Sequence, residues 1–497
     1  MTSSNWNCLK LKKLKDILYG VSVESVKGST NIDIKTVEFD SRKVSSGSLF
    51  VAQKGLIVDG HTFIAGAILD GAITIVCEDF PSETPEGVTF VQVVDANEAL
   101  AILASNFYDN PSEELTLVGV TGTNGKTTIA TLLADQFQKA GYKSGLISTI
   151  KILIGQKEIP ATHTTPDSLT INKVLREMVN QGVSHCFMEV SSHGIHQKRT
   201  SGLVFKGGIF TNLSHDHLDY HKTFAEYRDV KKSFFDSLPS TAFVLVNLDD
   251  KNGNVMLQNT KAKKYSYALK TEADYKARII ENQFNGLLLN MNGQEVWTKL
   301  IGSFNAYNLL AIYATSDLLG IEKYENLRIL SELDNVSGRF QHAVSKGGVN
   351  AIIDYAHTPD ALKNVLETIN SIRTYNEQVI TVVGCGGDRD RTKRPKMGNI
   401  ASSLSNQVVF TSDNPRSEDP EQIIKEVEAG VRPENYKKTI SITDRKQAIK
   451  TACKLAQEGD IILVAGKGHE TYQIIGDQKT GFDDFEITNQ ILTELNK

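Results

Sequence analysis

The sequence predicts an α/β protein of three domains, two of which contain mainly parallel sheets. The chain has 497 residues, and at about 100–200 residues per domain this length suggests about three domains. From residue 115 onward, short and nearly continuous apolar runs alternate with helical patterns. That alternation is typical of buried parallel strands joined by helices. Polar breaks at 108–114 and 334–338 separate the blocks.

We therefore expect a small leading domain at 1–110, a central domain at 111–335 and a third domain at 336–497. The leading domain has short strand-like runs at 48–52 and 72–76. The runs that read as buried strands in the other two domains are 115–120, 184–190, 242–247, 349–353, 378–383, 407–410 and 460–464.

Composition excludes several classes of protein. Lys and Arg total 54 against 59 Asp and Glu, a net charge of −5 that gives no reason to expect binding to nucleic acid or an acidic membrane. No apolar run is long enough to span a bilayer, and the N-terminal segment lacks the apolar stretch of a signal peptide. We expect a cytoplasmic monomer without membrane insertion. Its scattered cysteines predict neither a disulfide framework nor a structural zinc site: Cys8, Cys77, Cys186, Cys385 and Cys453.

A phosphate-binding loop is predicted at 122–128, Gly-Thr-Asn-Gly-Lys-Thr-Thr, which follows a buried strand and opens a helical pattern. Glycines let backbone N–H groups converge on phosphate oxygens, and the helix N-terminus adds positive potential. Lys126 can reach the β- and γ-phosphates, and Thr127 can place its hydroxyl on Mg²⁺. Val120 stands where the usual first glycine would be, so this is a variant P-loop. Its predicted nucleotide-binding residues are Gly122, Thr123, Asn124, Gly125, Lys126, Thr127 and Thr128.

Candidate metal ligands follow later strands of the central domain. Glu189 ends a strand and is either a hard oxygen ligand for Mg²⁺ or a solvated acid. The segment 211–221 contains three His and two Asp, of which one or two need bind a metal. Its H-x-H-x-D spacing is also found in binuclear zinc hydrolases, but Tyr220 replaces the histidine that follows in that motif. Lys231 lies beside the apolar stripe of a helical pattern, where a lysine is usually exposed.

These segments occur in one order with others, and together they resemble the Mur ligases, the ATP-dependent amide-forming enzymes of peptidoglycan precursor synthesis. The others are Gly-Arg at 338–339, Asp-Tyr-Ala-His-Thr-Pro at 354–359 and Asp-Asn-Pro-Arg at 413–416. The likeness spans essentially the whole chain, including Asp-Ser-Arg at 40–42 and Asp-Gly-His at 59–61. It implies an N-terminal α/β domain for a UDP-linked substrate, a central P-loop ATPase domain with a parallel sheet and a Rossmann-like C-terminal domain for an amino acid.

The resemblance also implies roles for individual residues. Contacts to the UDP-linked substrate fall at Phe39, Ser41, Thr164, Thr165, Ser191, Gln197 and Arg199. Magnesium ligands fall at Thr127, Glu189 and His217, with Lys231 as an anionic carbamate that holds a second Mg²⁺. Asn305 would lie near adenine, Asp354 near the ribose and Arg339 near the γ-phosphate. The implied catalytic set is Lys126, Lys231, Glu189, His217 and Arg339.

The third domain carries the amino-acid specificity. Arg416 offers a planar fork that matches a carboxylate, and the members of the family that add meso-diaminopimelate carry Asp-Asn-Pro-Arg at this place. Lysine lacks the second carboxylate and would leave the guanidinium unpaired, so we expect it to be rejected. A turn with a solvated arginine is the structural alternative. The implied diaminopimelate contacts are Arg389, Asp413, Asn414, Pro415, Arg416, Gly466 and Glu470.

The resemblance thus implies a reaction that joins meso-2,6-diaminopimelate to UDP-N-acetylmuramoyl-L-alanyl-D-glutamate, with ATP and Mg²⁺ as cofactors, through an acyl phosphate. Three alternatives stay open: the same ligase with L-lysine or another diamino acid, a ligase like folylpolyglutamate synthase, and a non-enzymatic nucleotide switch. The motifs at 40–42 and 413–416 argue against the second. Glu189, His217 and Lys231 argue against the third, because a switch needs no anionic lysine.

Overall fold

The computed structural model describes residues 11–55 and 58–497, so Cys8 lies outside the described residues. In chain order, the leading part forms β1 (Lys12–Lys13), α1 (Leu14–Ile17), β2 (Val23–Lys27), β3 (Asp33–Ile34), β4 (Thr36–Glu38), β5 (Ser48–Val51), α2 (Ile64–Leu69), β6 (Ala72–Cys77), β7 (Thr89–Val93) and α3 (Ala96–Phe107). Five of these strands pair in the order β2-β7-β6-β5-β4, with only β2 antiparallel to its neighbour. The strands predicted at 48–52 and 72–76 are β5 and β6.

The central part is built on one large mixed sheet. Its elements are β8 (Thr116–Thr121), α4 (Lys126–Lys139), β9 (Ser144–Ile147), β10 (Lys151–Ile154), β11 (Lys157–Pro160), α5 (Ser168–Asn180), β12 (His185–Glu189), α6 (Ser192–His196), β13 (Gly207–Phe210), α7 (Leu218–His221), α8 (Phe224–Asp236), β14 (Phe243–Asn247), α9 (Gly253–Met256), β15 (Lys263–Ala268), β16 (Tyr275–Gln283), β17 (Gly286–Met291), β18 (Gln294–Thr298), α10 (Ser303–Leu318) and α11 (Lys323–Glu332). The strand order among the described residues is β11-β10-β9-β12-β8-β13-β14-β15-β16-β17-β18.

The middle of this sheet is parallel, as the sequence predicts, and both of its edges are antiparallel. Parallel pairing runs from β9 to β16, whereas β10 and β11 form a hairpin at one edge and β17 and β18 extend the other. These edge strands were not among the predicted runs. In β18 buried and exposed residues mostly alternate, because only one face of it is covered.

Helices cover both faces of the central sheet. Val118 packs into the core beneath α4 and α10, and its neighbour Leu117 packs into the core beneath α5 and α8, because successive side chains of a strand point to opposite faces. The two cores are fully buried on β8. This burial fixes the carboxyl end of β8, from which the phosphate-binding loop begins.

The third part repeats this design on a smaller scale. Its elements are β19 (Gln341–Val344), β20 (Asn350–Asp354), α12 (Pro359–Ile372), β21 (Val379–Cys385), α13 (Lys393–Leu404), β22 (Gln407–Ser412), α14 (Pro420–Glu428), β23 (Thr439–Ser441), α15 (Arg445–Leu455), β24 (Ile461–Ala465), β25 (Tyr472–Ile475), β26 (Gln478–Gly481) and α16 (Asp484–Glu494). The sheet order is β19-β20-β24-β21-β22-β23, and β25 and β26 form a separate hairpin. Only β19 is antiparallel to its neighbour.

Two further observations concern the chain as a whole. Within residues 11–55 and 58–497, we find no helix with the length and apolar character needed to cross a membrane. The cysteines of the described residues are buried free thiols: Cys77, Cys186, Cys385 and Cys453.

Candidate active site

The phosphate-binding loop depends on two glycines. Gly122 and Gly125 have φ values of +147° and +86°, a region that residues with a Cβ rarely adopt. A Cβ on Gly122 would overlap Thr211 Oγ1, and one on Gly125 would lie 2.6 Å from Asn308 Oδ1. Helix α4 begins at Lys126, directly after this turn. The loop therefore presents its backbone at a helix N-terminus, which is the geometry that phosphate binding needs.

Two lysine amines, one from the partly buried Lys126 and one from the buried Lys231, converge on the carbonyl oxygen of Gly122. Lys126 Nζ donates to it at 3.0 Å and to the carbonyl of Thr123 at 2.7 Å. Lys231 Nζ donates to the same carbonyl at 2.9 Å and to Thr121 Oγ1 at 3.3 Å. Among the ion pairs of the described residues, none includes either amine. Glu189 and Asp216 offset part of this positive charge from longer range, without forming an ion pair with either amine.

The burial of Lys231 departs from the ordinary expectation for a helical lysine. Its side chain is 1% exposed, because Tyr227, Phe234 and Phe235 on the same face of α8 are drawn into the core of the central sheet. Burial lowers the pKa of Lys231 well below its usual value, and the nearby Lys126 cation lowers it further. Loss of the proton from this amine is therefore easier than from a solvent-exposed lysine.

Glu189, at the end of β12, fits the role of a magnesium ligand. Its carboxylate is fully buried and accepts hydrogen bonds from Thr127 Oγ1 at 3.0 Å and from the backbone N–H and hydroxyl of Thr149 at 2.7 and 3.2 Å. A buried carboxylate beside the P-loop hydroxyl is a hard oxygen donor pair of the kind that Mg²⁺ prefers. The residues present therefore suit the ion.

The histidines of 211–221 do not act as one metal cluster. His217 borders the cavity, and burial lowers its pKa below the usual value, which leaves the imidazole neutral and able to donate a lone pair. His221 is buried against the ring of Tyr227, and His215 is exposed. No group of three potential ligands among the described residues is arranged to hold a metal ion alone. An ion here would complete its shell with phosphate oxygens and water.

The third domain closes the site from the opposite side. Arg339 Nη2 donates to Thr127 Oγ1 at 3.1 Å, and its guanidinium stacks 4.4 Å from the ring centre of Tyr355. Asn124 Nδ2 in the phosphate-binding loop donates to Asp360 Oδ2 at 3.1 Å. The carboxyl ends of the parallel strands of the two sheets therefore face each other across the candidate site.

A cavity of about 730 Å³ lies between these edges. The predicted residues that line it are Thr123, Asn124, Gly125, Lys126, Thr127, Thr128, Thr164, Glu189, Ser191, His217, Lys231, Arg339 and Asp354. Burial raises the pKa of Asp354 to about 6, while its carboxylate accepts the backbone N–H of Phe340 at 2.6 Å. Asn305 does not line the cavity, because it lies buried in α10. It accepts a hydrogen bond from Asn308, which does line the cavity.

Several lining residues were not predicted. Among them are Thr149, Asp216, Tyr307, Asn308, Tyr355 and His357. Asp216 and His357 lie within motifs that the sequence already singles out, and Thr149 comes just after a strand end, so position alone could have indicated them. Nothing in the sequence distinguishes Tyr307, whose hydroxyl donates to Asp249 Oδ2 at 2.9 Å.

The residues predicted to hold the UDP-linked substrate fall into two groups, one in the central domain and one in the leading domain. Arg199 donates from Nη1 to the carbonyl of Thr165 at 2.6 Å and from Nε and Nη2 to Gln197 Oε1. Thr165 Oγ1 in turn accepts the backbone N–H of Ser191 at 2.9 Å. Phe39 packs against the core of the leading domain, and Ser41 begins a 3₁₀ turn capped by Asp40; neither lines the cavity.

The residues predicted to hold the amino acid gather at the ends of β22 and β24. Asn414 Nδ2 donates to Glu470 Oε2 at 2.7 Å, and a Cβ on Gly466 would lie 2.5 Å from Asp413 Oδ2. Lys467, which was not predicted, is fully buried and donates to Asn414 Oδ1 at 3.0 Å.

The two predicted arginines of this site differ in their surroundings. Arg416 Nη1 donates to the carbonyl of Gly387 at 2.7 Å, whereas Arg389 is exposed and bonds only the carbonyl of Asp388 within the described residues. Pro415 separates Asn414 from Arg416 and has no N–H to donate. Arg416 is therefore already oriented by the protein, and Arg389 is not.

Comparison with family models decides the classification. The model of the Mur ligase family catalytic domain matches residues 33–108, the Mur ligase middle domain matches 120–316, and the Mur ligase glutamate ligase domain matches 338–468. The chain belongs to the Mur ligase family. This membership confirms the resemblance and the three-domain Mur ligase fold predicted from the sequence, while the individual residue roles remain predictions.

Other Mur ligases are similar over the whole chain. A UDP-N-acetylmuramoyl-L-alanyl-D-glutamate–2,6-diaminopimelate ligase of Cytophaga hutchinsonii is 55% identical over 486 residues, which cover 98% of this chain and 100% of the relative. One of Bacteroides fragilis is 53% identical, covering 97% and 99%. A solved structure of a ligase with the same name is 31% identical with a TM-score of 0.70, covering 98% of this chain and 100% of that one.

We predict that Gly122→Ala weakens ATP binding about tenfold or more, because the added methyl group displaces the loop from Thr211 and misdirects its N–H groups. Calorimetric titration with a non-hydrolysable ATP analogue measures this. Gly66→Ala is the control, since a Cβ there meets nothing within 4 Å. Equal affinities for Gly122→Ala and the unmodified protein would contradict the assignment of the loop.

Proposed function

We propose that this Mur ligase uses ATP to join meso-2,6-diaminopimelate to UDP-N-acetylmuramoyl-L-alanyl-D-glutamate, a step of peptidoglycan precursor synthesis that serves cell-wall growth and division. One observation carries the proposal: the variant P-loop and the Asp-Asn-Pro-Arg segment at 413–416 occur in a chain similar along its whole length to ligases named for this reaction. ATP and the two small molecules are the substrates, and we expect the reaction to occur in the cytoplasm.

The first step joins two anions, so its barrier is mainly electrostatic. A carboxylate oxygen of the D-glutamyl group attacks the γ-phosphorus of ATP, the bond from that phosphorus to the β-phosphate oxygen breaks, and ADP leaves. Lys126 and Arg339 approach the cavity from opposite sides and neutralise the charge that develops. The product is an acyl phosphate on the D-glutamyl group.

The second step transfers the acyl group to the amino acid. The amine of diaminopimelate attacks the acyl carbon, the carbon–oxygen bond to phosphate breaks, and the nitrogen loses a proton. No protein nucleophile is needed. The contacts of Arg339 and Asp360 with the phosphate-binding loop hold the third domain over the cavity, which limits access of water to the acyl phosphate.

Magnesium, when bound, would neutralise phosphate charge and orient the reacting oxygens. Thr127, Glu189 and His217 are the residues that would hold one ion. Lys231 would contribute to a second after its neutral Nζ adds to CO₂ and loses a proton to give a carbamate. That reaction converts the amine, whose protonated form the Lys126 cation disfavours, into an anion that Lys126 attracts.

Two rival functions make different demands on the chain. A ligase like folylpolyglutamate synthase would not require the motif at 40–42 or the arginine at 416. A nucleotide switch would not require a buried amine such as Lys231 beside the phosphate-binding loop. L-Lysine as the added amino acid would leave Arg416 without a carboxylate partner.

Phosphate release in the presence of ATP tests the proposal directly. We expect release only when both the UDP-dipeptide and meso-diaminopimelate are present, since the acyl phosphate is consumed only by the amine. Equal release without either substrate would refute the ligase assignment. Equal turnover with L-lysine in place of diaminopimelate would refute the assigned amino acid.

Lys231→Ala is expected to lower kcat about 100-fold or more, because it removes the anchor for one charge-neutralising ion. Added formate or acetate should restore part of the activity by filling the vacated space with a carboxylate. Lys232→Ala is the matched control, since the Nζ of this neighbour pairs with Asp236 at 2.6 Å, away from the loop. Unchanged turnover in Lys231→Ala would remove the carbamate from the account.

Arg416→Ala is expected to raise KM for diaminopimelate about 10- to 100-fold and to leave KM for ATP within about twofold, because a charge-assisted hydrogen-bond pair is lost at the amino-acid site alone. Arg432→Ala, an exposed arginine of the same domain, serves as the control. Parallel losses for both substrates would mean that Arg416 supports the fold and does not select the amino acid.

A further inference from the structure

Two loops of the third domain are tied to each other where the amino acid is proposed to bind. The glycine loop, 386–389, follows β21, and the arginine loop, 413–416, follows the neighbouring parallel strand β22. Gly387 N–H donates to the carbonyl of Asn414 at 2.9 Å, and Arg416 Nη1 donates to the carbonyl of Gly387 at 2.7 Å. The direction of the Arg416 guanidinium therefore depends on where the glycine loop lies.

One carboxylate holds the glycine loop in place. Glu418, just beyond the arginine loop, accepts the backbone N–H of Asp388 at 2.6 Å and two hydrogen bonds from Arg394 at 2.8 and 3.0 Å. Arg394 Nη2 also donates to the carbonyl of Gly386 at 3.2 Å. Glu418 thus reaches both ends of the glycine loop, one directly and one through Arg394.

Arg394 is held in place by burial and by two acidic partners. Its side chain is fully buried and has a second acidic partner, Glu426, at 2.7 Å from Nη1. The bonds from Arg394 hold the pKa of Glu418 at about 2, so the pair is charged throughout the neutral range. Glu426 makes no hydrogen bond to the glycine loop among the described residues. The two acids therefore share one buried cation, and only one of them also contacts the loop.

Both loops contain an uncommon backbone conformation. Arg416 has a φ of +52° and Asp388 a φ of +53°, which for residues with a Cβ is a strained region. Local bonds hold these conformations without a ligand. Ser417 Oγ donates to Asp388 Oδ1 at 2.6 Å, while Arg416 N–H donates to the carbonyl of Ile474 at 3.2 Å and its carbonyl accepts from Gly476 N–H at 2.8 Å.

The remaining donors of Arg416 are free for a ligand. Only Nη1 takes part in an intramolecular hydrogen bond within the described residues, to the carbonyls of Gly387 and Asn414. The Nε and Nη2 donors of a guanidinium form a parallel pair that matches the two oxygens of a carboxylate. Anchoring Nη1 leaves this pair pointing in one direction, which lowers the ordering cost of binding.

We infer that Glu418 is a positioning residue for amino-acid selection: it fixes the glycine loop, whose Gly387 carbonyl then aims Arg416 at the second carboxylate of the incoming diamino diacid. This inference rests on the proposed function, because it presumes that a diamino diacid docks against Arg416. Glu418 acts through its hydrogen bonds to Asp388 and Arg394, and this role requires no contact with the substrate.

Steady-state kinetics of the full-length chain test the inference with two matched variants. Glu418→Gln keeps the shape of the side chain and removes its charge, and we expect KM for diaminopimelate to rise about tenfold, with kcat and KM for ATP within about twofold. Glu426→Gln removes the other acidic partner of Arg394 and should leave KM for diaminopimelate unchanged. Thermal unfolding of both variants measures the stability cost, which should be larger for Glu418→Gln because Glu418 also accepts hydrogen bonds from Arg391 and from the Asp388 N–H.

The possible outcomes distinguish failure of the Glu418 inference from failure of the proposed function on which it rests. An unchanged KM in Glu418→Gln, or an equal rise in Glu426→Gln, would overturn the positioning role. An unmodified protein without diaminopimelate-dependent turnover would refute the proposed function and the inference with it. If Glu418→Gln fails to fold, Ser417→Ala replaces it: this variant removes the hydroxyl tie to Asp388, and we expect KM for diaminopimelate to rise about threefold. No change there would equally overturn the role.

Discussion

The site is organised around an electrostatic constraint: the amines of the partly buried Lys126 and the buried Lys231 share the carbonyl oxygen of Gly122, and neither forms an ion pair within the described residues. A buried cation without an ion-pair partner is costly, which favours loss of the proton from Lys231 and the arrival of an anion at Lys126. Under the proposed function, a triphosphate would pair with Lys126 and a carbamate would make Lys231 an anion. The same constraint therefore underlies both the proposed ligand and the proposed modification.

The other polar groups of the site come from the carboxyl ends of parallel strands in the central and third domains. β8 and β12 end at the phosphate-binding loop and at Glu189, while β20 ends at Asp354 on the facing domain. Because ligands in open α/β sheets lie beyond the carboxyl ends of strands, opposing two such edges provides one enclosure in which the proposed substrates could meet. The glycine loop and the arginine loop also follow neighbouring parallel strands. Their closeness is what allows one carboxylate, Glu418, to fix the position of the glycine loop and, through it, the direction of Arg416.

Local patterns predicted much of this, and long-range packing accounts for the rest. The P-loop, the parallel strands and the strand-end acids follow from short segments. The burial of Lys231 does not, because it depends on how α8 packs against the sheet, and by itself a helical lysine indicates exposure. The added edge strands β17 and β18 carried one usable signal, the Asn-Gly turn at 292–293, where both residues have positive φ. The role of Glu418 could not be found from sequence because its partner Arg394 is 24 residues away along the chain.

Detection of a carbamate on Lys231 most directly tests whether this amine becomes an anion. The protein is equilibrated with ¹³C-labelled bicarbonate, and its carbamate carbon is observed by NMR, with Lys232→Ala and Lys231→Ala compared in parallel. We expect one carbamate resonance in the unmodified protein and in Lys232→Ala, and none in Lys231→Ala. A resonance that persists without Lys231, or that is absent from the unmodified protein at neutral pH, would contradict the claim that this buried amine becomes an anion.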